Sequence, residues 1–521
     1  MNRALGAVAA FSLILVAACS QPQRALGPKT HWLRFADGAG GIPTLNPHLF
    51  NGTTVHVIGL LTMAYLFRYD AQGRPQPELA TEFPTRQNGG ISADGRTIVF
   101  HLRRRVRWSD GKPFTADDVV FSTRVVLDPQ NDELSREGWD LIDRVSAPDA
   151  HTVVYHLRRP YALFEPAFFG TGVASPCILP KHLLAHEPNI NHAPYNELPV
   201  GIGPFRVTTF KRDEVVELEA NPYYFRGKPK LARVTFRIYP TRDALLEAMQ
   251  TGDVDLWPAL PPQYIARVQA IRPLRTIVGP SSFWSALFFN VQRPPENDRR
   301  VREAVRYAID RSRIVDEGVS GNGILQDGPV APSVAVAPSN LPVTPFDPAH
   351  ARRLLDAAGW RTSPDGIRRK NGRKLMLAIA MGSSSATDFL GTMLRGQLRS
   401  VGIGVQIRPY PGEWNVTSLA LQSDPNGSLE NLFACSRIPP RGQNVARYCN
   451  HDLDVKLYRY TLTYEESERR RLLGEIEREL VADVPFVTLW ASQNGYAFNS
   501  RLEGYEPGAM APLGDPMKLD I

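Results

Sequence analysis

Cysteine and long apolar runs are both scarce in this chain of 521 residues, and each scarcity excludes a class of function. Only four cysteines occur and no two form a CxxC pair, which argues against thiol redox chemistry and a cysteine-based zinc site. Beyond the N-terminal leader no stretch approaches ~20 consecutive apolar residues. We therefore predict no further membrane-spanning helix and a soluble mature body.

Catalytic motifs are lacking as well. Neither HExxH nor GxSxG occurs, and the glycine-rich segment 318–323 is not followed by the Lys-Ser/Thr of a phosphate-binding loop. No nucleophile, base and orienting group appear together in any motif. We predict that the protein is not an enzyme and has no cofactor; an exported hydrolase or metal-dependent enzyme is the alternative from another class.

One histidine cluster has the composition of a metal site. His182 and His186 have the i, i+4 spacing that lets two imidazoles on one helical face hold an ion, and Glu187 and His192 lie nearby. In the family that the chain resembles, introduced below, the stretch from Pro180 to Leu184 corresponds to a common helix start, where surface or capping histidines are expected. We therefore predict no metal site.

Basic residues are interspersed with acidic ones along most of the sequence. The formal net charge is +7 at pH 7, from 60 basic and 53 acidic residues, without one block of a single sign. The densest basic run, from Arg103 to Arg107, alternates in a way that is typical of a solvated strand end. Nucleic acid is therefore not an expected partner.

The N-terminus has the pattern of an export signal. A basic start precedes an apolar run from Ala4 to Val16, and Val16 to Cys19 resembles a bacterial lipobox. We predict that residues 1–18 are a signal peptide, that Cys19 carries the lipid anchor, and that residues 19–28 are a flexible tether. The alternative is an ordinary cleaved signal with Cys19 in the discarded part.

Periodicity in the rest of the chain indicates an α/β protein. Its length exceeds the ~250–300 residues at which one core stops growing, so two or three subdomains are expected. Alternating apolar residues predict short antiparallel strands in the first half, for example Thr97 to Leu102 and Thr152 to Leu157. In the second half, helical patterns such as Tyr464 to Ala482 alternate with strands.

Several blocks of residues carry a family resemblance along nearly the whole mature chain. The longest, Leu102 to Ser122, combines two expected core aromatics (Trp108 and Phe114), an Asp-Gly turn and a helix N-cap at Thr115. The other blocks are Thr44 to His48, Gly201 to Phe205, Asn221 to Pro229, Gly252 to Asp255, Val301 to Asp310, Ala351 to Trp360 and Cys435 to Asn450. Together they resemble the family 5 extracellular solute-binding proteins, which include dipeptide- and oligopeptide-binding proteins of ATP-driven importers.

This resemblance implies an α/β fold of the type II periplasmic-binding-protein kind, with two main lobes, an extra subdomain and a two-hinge cleft. Lobe I is expected to be discontinuous, the extra subdomain to follow its first segment, and hinge strands to lie near Trp284 to Asn290 and near Phe486 to Ser492. The expected boundaries are 29–55, 195–283 and 488–521 for lobe I, 56–194 for the extra subdomain, and 284–487 for the C-terminal lobe.

The last block also resembles the disulfide loop of dipeptide-binding members. The resemblance pairs Cys435 with Cys449, and an exported protein meets conditions that permit such a bond. Cys177 is then expected to remain a buried free thiol.

Candidate ligand contacts follow from the same resemblance, because family members line the cleft near the crossing into the last lobe. Ordinary core packing is an equally good account of each single aromatic ring among them. The candidates are Phe283, Trp284, Phe288, Asn290, Trp414, Leu421, Asp424 and Trp490.

At one of these positions the chain departs from the family. In dipeptide-binding members an Asp before the disulfide loop binds the amino terminus of the ligand, and counting back from Cys435 puts Leu421 at that place. A buried ammonium without a counter-charge costs several kcal/mol. Selection of a free peptide N-terminus is therefore not expected, unless Asp424 or Glu430 substitutes.

The function that the resemblance implies is that of a substrate-binding lipoprotein of an ABC-type importer, which captures peptides or peptide-like solutes and delivers them to permease subunits. We expect a monomer in the periplasm or cell envelope, anchored to a membrane by lipid. The alternatives are a receptor or signalling protein on the same fold and a binder of a non-peptide solute.

Metabolic labelling tests the predicted anchor. Labelled palmitate should enter the wild-type protein and be lost in a Cys19→Ser variant, because only the thiol of Cys19 can take the diacylglycerol. Label that survives in the variant would contradict the lipoprotein prediction.

Overall fold

Residues 29–521 are described by the structure, a computed structural model, apart from residues 39–40, 51, 135, 137, 172–175, 339–340, 383 and 410–413. The predicted signal peptide, Cys19 and the tether at 19–28 lie outside these described residues. Within them, no helix combines the length and the apolar character needed to cross a membrane.

Most strands of the described chain belong to one large mixed sheet. The strands are β1 (Trp32–Asp37), β2 (Phe67–Tyr69), β3 (Pro75–Pro77), β4 (Thr97–His101), β5 (Ile142–Asp149), β6 (Thr152–Leu157), β7 (Phe205–Lys211), β8 (Val215–Ala220), β9 (Arg233–Ile238), β10 (Leu256–Leu260), β11 (Leu274–Phe289), β12 (Gly323–Ile324), β13 (Arg369–Lys370), β14 (Arg373–Lys374), β15 (Met376–Met381), β16 (Gly404–Pro409), β17 (Val416–Gln422) and β18 (Phe486–Asn499).

Helices alternate with these strands along the chain. They are α1 (Thr53–Thr62), α2 (Ala116–Leu127), α3 (Phe164–Ala167), α4 (Lys181–Leu184), α5 (Arg242–Thr251), α6 (Ile265–Gln269), α7 (Arg299–Ala308), α8 (Arg311–Gly318), α9 (Pro348–Ala357), α10 (Ser385–Ser400), α11 (Glu430–Phe433), α12 (His451–Leu462) and α13 (Glu466–Asp483). Single 3₁₀ turns lie at Trp139–Leu141, Pro194–Asn196, Pro262–Tyr264 and Cys435–Arg437.

The order of strands across the large sheet shows how its two halves are joined. The order is β16-β15-β17-β11-β18-β10-β1-β9-β8-β7, with β12 also paired to β18. The long antiparallel pair β11–β18 lies in the middle, so strands from the first half of the chain extend the sheet on one side and strands from the second half on the other. A break in register between Pro280 and Trp284 divides this pair, at the N-terminal end of the first predicted hinge segment.

The most specific sequence block folds as expected. β4 pairs with β6, Trp108 and Phe114 are buried with their rings 6.1 Å apart, and α2 begins after Thr115. The Asp118 carboxylate accepts the Thr115 backbone N–H at 2.9 Å, which satisfies one donor at the helix start. β4, β6 and β5 form a three-stranded unit that is separate from the large sheet.

Two further expectations concern cysteine and histidine. A disulfide joins Cys435 to Cys449, and Cys177 is a buried free thiol. His451 lies near the two sulfurs of this disulfide, but disulfide sulfurs are not thiolates and are not available as metal ligands. α4 ends at Leu184, so His182 and His186 do not share its helical face, and His182 instead contacts Asp110 at 2.7 Å.

Removal of the disulfide should lower stability without abolishing the fold. The bridge closes a loop with a sequence separation of 14 residues, which corresponds to ~3 kcal/mol in the chain-entropy account. Urea unfolding of a Cys435→Ser/Cys449→Ser variant measures the loss. Reduced wild-type protein is the control and should match the variant; an unchanged midpoint in both would contradict the expected contribution.

Candidate functional site

The eight predicted site residues fall on or beside three adjacent strands at the centre of the large sheet. Phe283, Trp284 and Phe288 lie on β11, Leu421 lies on β17, and Trp490 lies on β18. Asn290, Trp414 and Asp424 are next to the ends of these strands. The candidates are therefore brought to one region, where the β11–β18 pair passes from one half of the sheet to the other. We call this region the crossing.

Two of the aromatic candidates belong to the core. Trp284 and Phe288 are 0% and 1% exposed, and their rings lie 5.8 Å apart. Both contact Phe486 of β18, and Phe288 also stacks on Phe433 at 6.4 Å. These rings stabilise the crossing by packing against each other, and their burial favours a structural role over direct ligand contact.

Other aromatic candidates remain accessible. Phe283 is 37% exposed, because it lies on the opposite face of β11 from Trp284. Trp414 and Trp490 are partly buried, and Trp490 packs beside the core of the second half of the sheet. Of the three aromatic candidates on β11, Phe283 is the one whose ring is exposed.

Asn290 has a backbone role. Its amide oxygen accepts the Gln292 N–H at 3.3 Å, and its own N–H donates to the Asn415 carbonyl at 2.7 Å. It is 5% exposed and closes the turn at the end of β11.

Buried hydroxyl groups at the crossing were missed by sequence reasoning. The Ser282 hydroxyl accepts a hydrogen bond from the Gln422 side-chain amide at 3.0 Å, and the Ser423 hydroxyl accepts the Ala331 N–H at 2.8 Å. Ser333 donates to the Ser281 carbonyl at 2.9 Å. The available signal was the polar interruption Ser281-Ser282 within a run of residues that otherwise has a buried-strand pattern.

Leu421, where counting from the disulfide loop puts the acid of dipeptide-binding members, is paired with Trp284 across β11 and β17. Leu421 is partly buried and packs against the aromatic core. An apolar side chain at this place offers no charge to a ligand ammonium.

Asp424 and Glu430, the two acids that could bind a ligand ammonium in place of the Asp, both have partners within the chain. Asp424 accepts the Asn426 N–H at 2.7 Å in a turn, and burial raises the pKa of its carboxyl although the backbone N–H groups of Asn426 and Ser428 oppose the rise. Glu430 is paired with Arg437 at 2.8 Å. Both carboxylates are therefore engaged within the chain.

Contacts between segments that are far apart in sequence close the molecule beside the crossing. The Ala162 N–H donates to the Thr461 carbonyl at 2.7 Å, and Arg469 donates to the Ala162 carbonyl at 3.3 Å. The Tyr464 hydroxyl donates to the Gly95 carbonyl at 3.1 Å. The three-stranded unit and the α12–α13 pair thus touch in this conformation.

A buried acid lies close to the same region. The Glu477 carboxylate of α13 accepts the Val330 N–H at 3.1 Å, one residue before Ala331. Burial raises the pKa of Glu477 to about 8, with the bond from Val330 acting in the opposite direction. Near neutral pH this side chain is therefore largely protonated.

Hinged solute-binding receptors are the class that this architecture defines. The two long paired strands β11 and β18 belong to both halves of one sheet. Accessible aromatic and polar groups lie where this pair passes from one half to the other. Residues 74–436 match the family model of bacterial extracellular solute-binding proteins, family 5 (middle part), and the chain belongs to this family.

Individual relatives are similar along most of their length. The oligopeptide-binding protein AppA of Bacillus subtilis is 25% identical over 492 residues, which cover 90% of this chain and 88% of the relative. The nickel-binding periplasmic protein of Escherichia coli is 27% identical over 467 residues, covering 83% and 84%.

Solved structures show the same fold. NikZ from Campylobacter jejuni, in complex with Ni(L-His), has a TM-score of 0.80 at 24% identity and covers 95% of this chain and 100% of its own. AppA from Bacillus subtilis, in complex with a nonapeptide, has a TM-score of 0.77 at 22% identity with coverages of 94% and 98%. The predicted α/β, type II periplasmic-binding-protein fold is confirmed.

Membership of the family establishes the general role. Its proteins are substrate-binding receptors of ABC importers, they are not enzymes, and the homologues are periplasmic or extracellular. The prediction that this chain is not an enzyme is thereby confirmed.

Glu477 gives stability a defined pH dependence. Its pKa is about 8 in the folded state and close to the ordinary glutamate value of 4.5 in the unfolded state, so the folded protein binds more protons between these values. Its contribution is fully present below the unfolded pKa and is lost as pH rises through the folded one. Denaturant unfolding of wild type should show a free energy of unfolding that falls over this interval.

A Glu477→Gln variant should keep the bond from Val330 and flatten this decline, with a gain on the order of a few kcal/mol near pH 8. Glu466→Gln, an exposed position on the same helix, is the matched control and should leave the slope as in wild type. Equal slopes in all three proteins would contradict the assignment.

Proposed function

We propose that the protein is the lipid-anchored binding receptor of an importer for peptide-like solutes whose recognised end is not a free ammonium. The observation that supports this proposal is the apolar residue at the position where dipeptide-binding members have an ammonium-binding Asp. Leu421 lies there, paired with Trp284, while Asp424 and Glu430 are already engaged.

The physical argument concerns the free energy of desolvation. A cationic N-terminus that enters a closed cleft loses its hydration, and an opposing carboxylate must compensate that loss. Leu421 compensates nothing, so a ligand with a blocked or absent amino terminus is favoured over a free peptide. Hydrogen bonds to the ligand main chain and a wall such as Phe283 can still hold an extended molecule.

A second candidate ligand is a small metal chelate. The specific observation is that relatives of both kinds match this chain over comparable lengths, since the nickel-binding protein of Escherichia coli and the structure of NikZ with Ni(L-His) stand beside the oligopeptide binders. Binding of a chelate also does not require a protein carboxylate that pairs with a ligand ammonium group. A direct binding experiment distinguishes this candidate from the first.

Thermal-shift titration of the mature protein tests the proposal. The ligands are di- to hexapeptides with free or acetylated N-termini, and the nickel–histidine chelate. A ligand at ~100 times its dissociation constant adds ~2.7 kcal/mol to the folded state. We expect stabilisation by acetylated peptides that is at least as large as that by free ones. Stabilisation by the chelate alone would favour the second candidate, and no response to any peptide would contradict the first.

A Leu421→Asp variant supplies the sharper comparison. It should gain roughly 10-fold or more in affinity for free peptides relative to acetylated ones, because the new carboxylate meets the ammonium. Leu419→Asp is the matched control, since Leu419 is two residues away on β17 and packs against the same core. An equal change in both variants would show that Leu421 does not lie at the ligand terminus.

A further inference from the structure

Positive charge is concentrated in one short segment of the second half of the chain. Residues 352–374 contain eight Arg or Lys residues and two Asp residues, a net of six positive charges, whereas the whole chain carries +7. The expectation that Lys and Arg residues are scattered among acidic ones, and not gathered in one block, therefore does not hold for this segment. The rest of the protein is close to neutral by comparison.

A small hairpin presents part of this charge. β13 and β14 are joined by Asn371 and Gly372, whose φ angles of 50° and 75° are the left-handed values that a tight two-residue turn requires. Each directly opposed pair of side chains consists of two cations, Arg369 with Lys374 and Lys370 with Arg373.

Such pairing opposes the stability of the hairpin, because like charges directly opposite each other repel. The first pair is partly compensated by Asp365, whose carboxylate lies 3.2 Å from Arg369 and 2.9 Å from Lys374. For Lys370 and Arg373, no carboxylate of the described residues lies within ion-pair distance. Lys370 instead donates to the Ala358 carbonyl at 2.8 Å. A locally unfavourable arrangement that is only partly compensated is expected at functional surfaces.

The second pair, Lys370 with Arg373, lines a groove. Its other lining residues are Asn371, Trp360 and residues of the segment from Pro294 to Arg299. The space encloses about 1360 Å³, part of which is open to solvent. The acid in this segment, Asp298, is itself paired with Arg300 at 2.7 Å. The Lys370 ammonium also interacts electrostatically with this carboxylate, whereas Arg373 has no ion-pair partner among the described residues. The groove therefore carries an excess of positive charge and has Trp360, Pro294 and Pro295 in its lining.

We propose that this groove docks an acidic polypeptide segment of a partner protein. Its positive charge complements carboxylates, while Trp360 and the prolines of its lining offer the apolar contact typical of protein interfaces. A flat anionic bilayer would meet the rim of a concave groove and leave these apolar residues unused. None of the eight candidate site residues lines this groove.

Charge reversal tests the proposal with a fluorescent oligoglutamate peptide as the probe. Arg373→Glu and Lys370→Glu/Arg373→Glu are compared with wild type by fluorescence anisotropy. The matched control is Lys228→Glu/Lys230→Glu, which changes net charge equally on another exposed segment. Vesicles rich in phosphatidylglycerol serve as a second probe for the same proteins.

We expect wild type and the control to bind oligoglutamate, with affinity that weakens strongly as salt is raised, and the double reversal to lose roughly 10-fold or more. The melting temperature of Arg373→Glu should equal or exceed that of wild type, because an opposed pair of like charges becomes an attractive one. A fall in affinity without a fall in melting temperature separates docking from folding.

Three results would overturn the proposal. The first is an equal loss of affinity in the control, which would reduce the effect to net charge. The second is no oligoglutamate binding by wild type, and the third is vesicle binding that depends on Lys370 and Arg373 while oligoglutamate binding does not.

Discussion

The ladder of hydrogen bonds between β11 and β18 is the constraint on which the rest of the structure depends. Both strands are long enough to serve two halves of one sheet, so their backbone groups are satisfied on either side of the crossing. β17 extends the sheet from one end of this pair and β10 from the other. The register of the pair shifts between Pro280 and Trp284 and again between Ser285 and Ala286, and both shifts lie in or next to the first predicted hinge segment.

The chemistry of the crossing follows from the alternation of side chains along these strands. One face of β11 places Trp284 and Phe288 in an aromatic core with Phe486, while the other leaves Phe283 accessible. The serine hydroxyls are occupied by hydrogen bonds that hold the loop beside β17. The crossing thus combines a packed aromatic core with neutral polar groups, and the proposed preference for a ligand without a free ammonium rests on the apolar side chain of Leu421.

Local sequence patterns predicted those elements whose turn, core and cap residues are all contained in one short segment. The block from Leu102 to Ser122 contains its turn, its core aromatics and its cap, and the structure confirms the helix that begins after Thr115. Phe283 and Trp284 were indistinguishable as candidates, because which face of a strand is buried depends on what packs against it. The serines at the crossing were missed for a similar reason, since their partners lie about 50 residues away or more along the chain.

Sequence alone determined the class of fold, the family, the apolar residue at position 421 and the pairing of Cys435 with Cys449 through resemblance, because these are recorded in residue identity and order. Only the tertiary structure decided which rings are core, that Asp424 and Glu430 are engaged, and that the cations of the β13–β14 hairpin stand opposite one another beside Trp360. The physical reason is that burial, charge compensation and grooves are properties of residues brought together by folding, and spacing along a chain does not specify them.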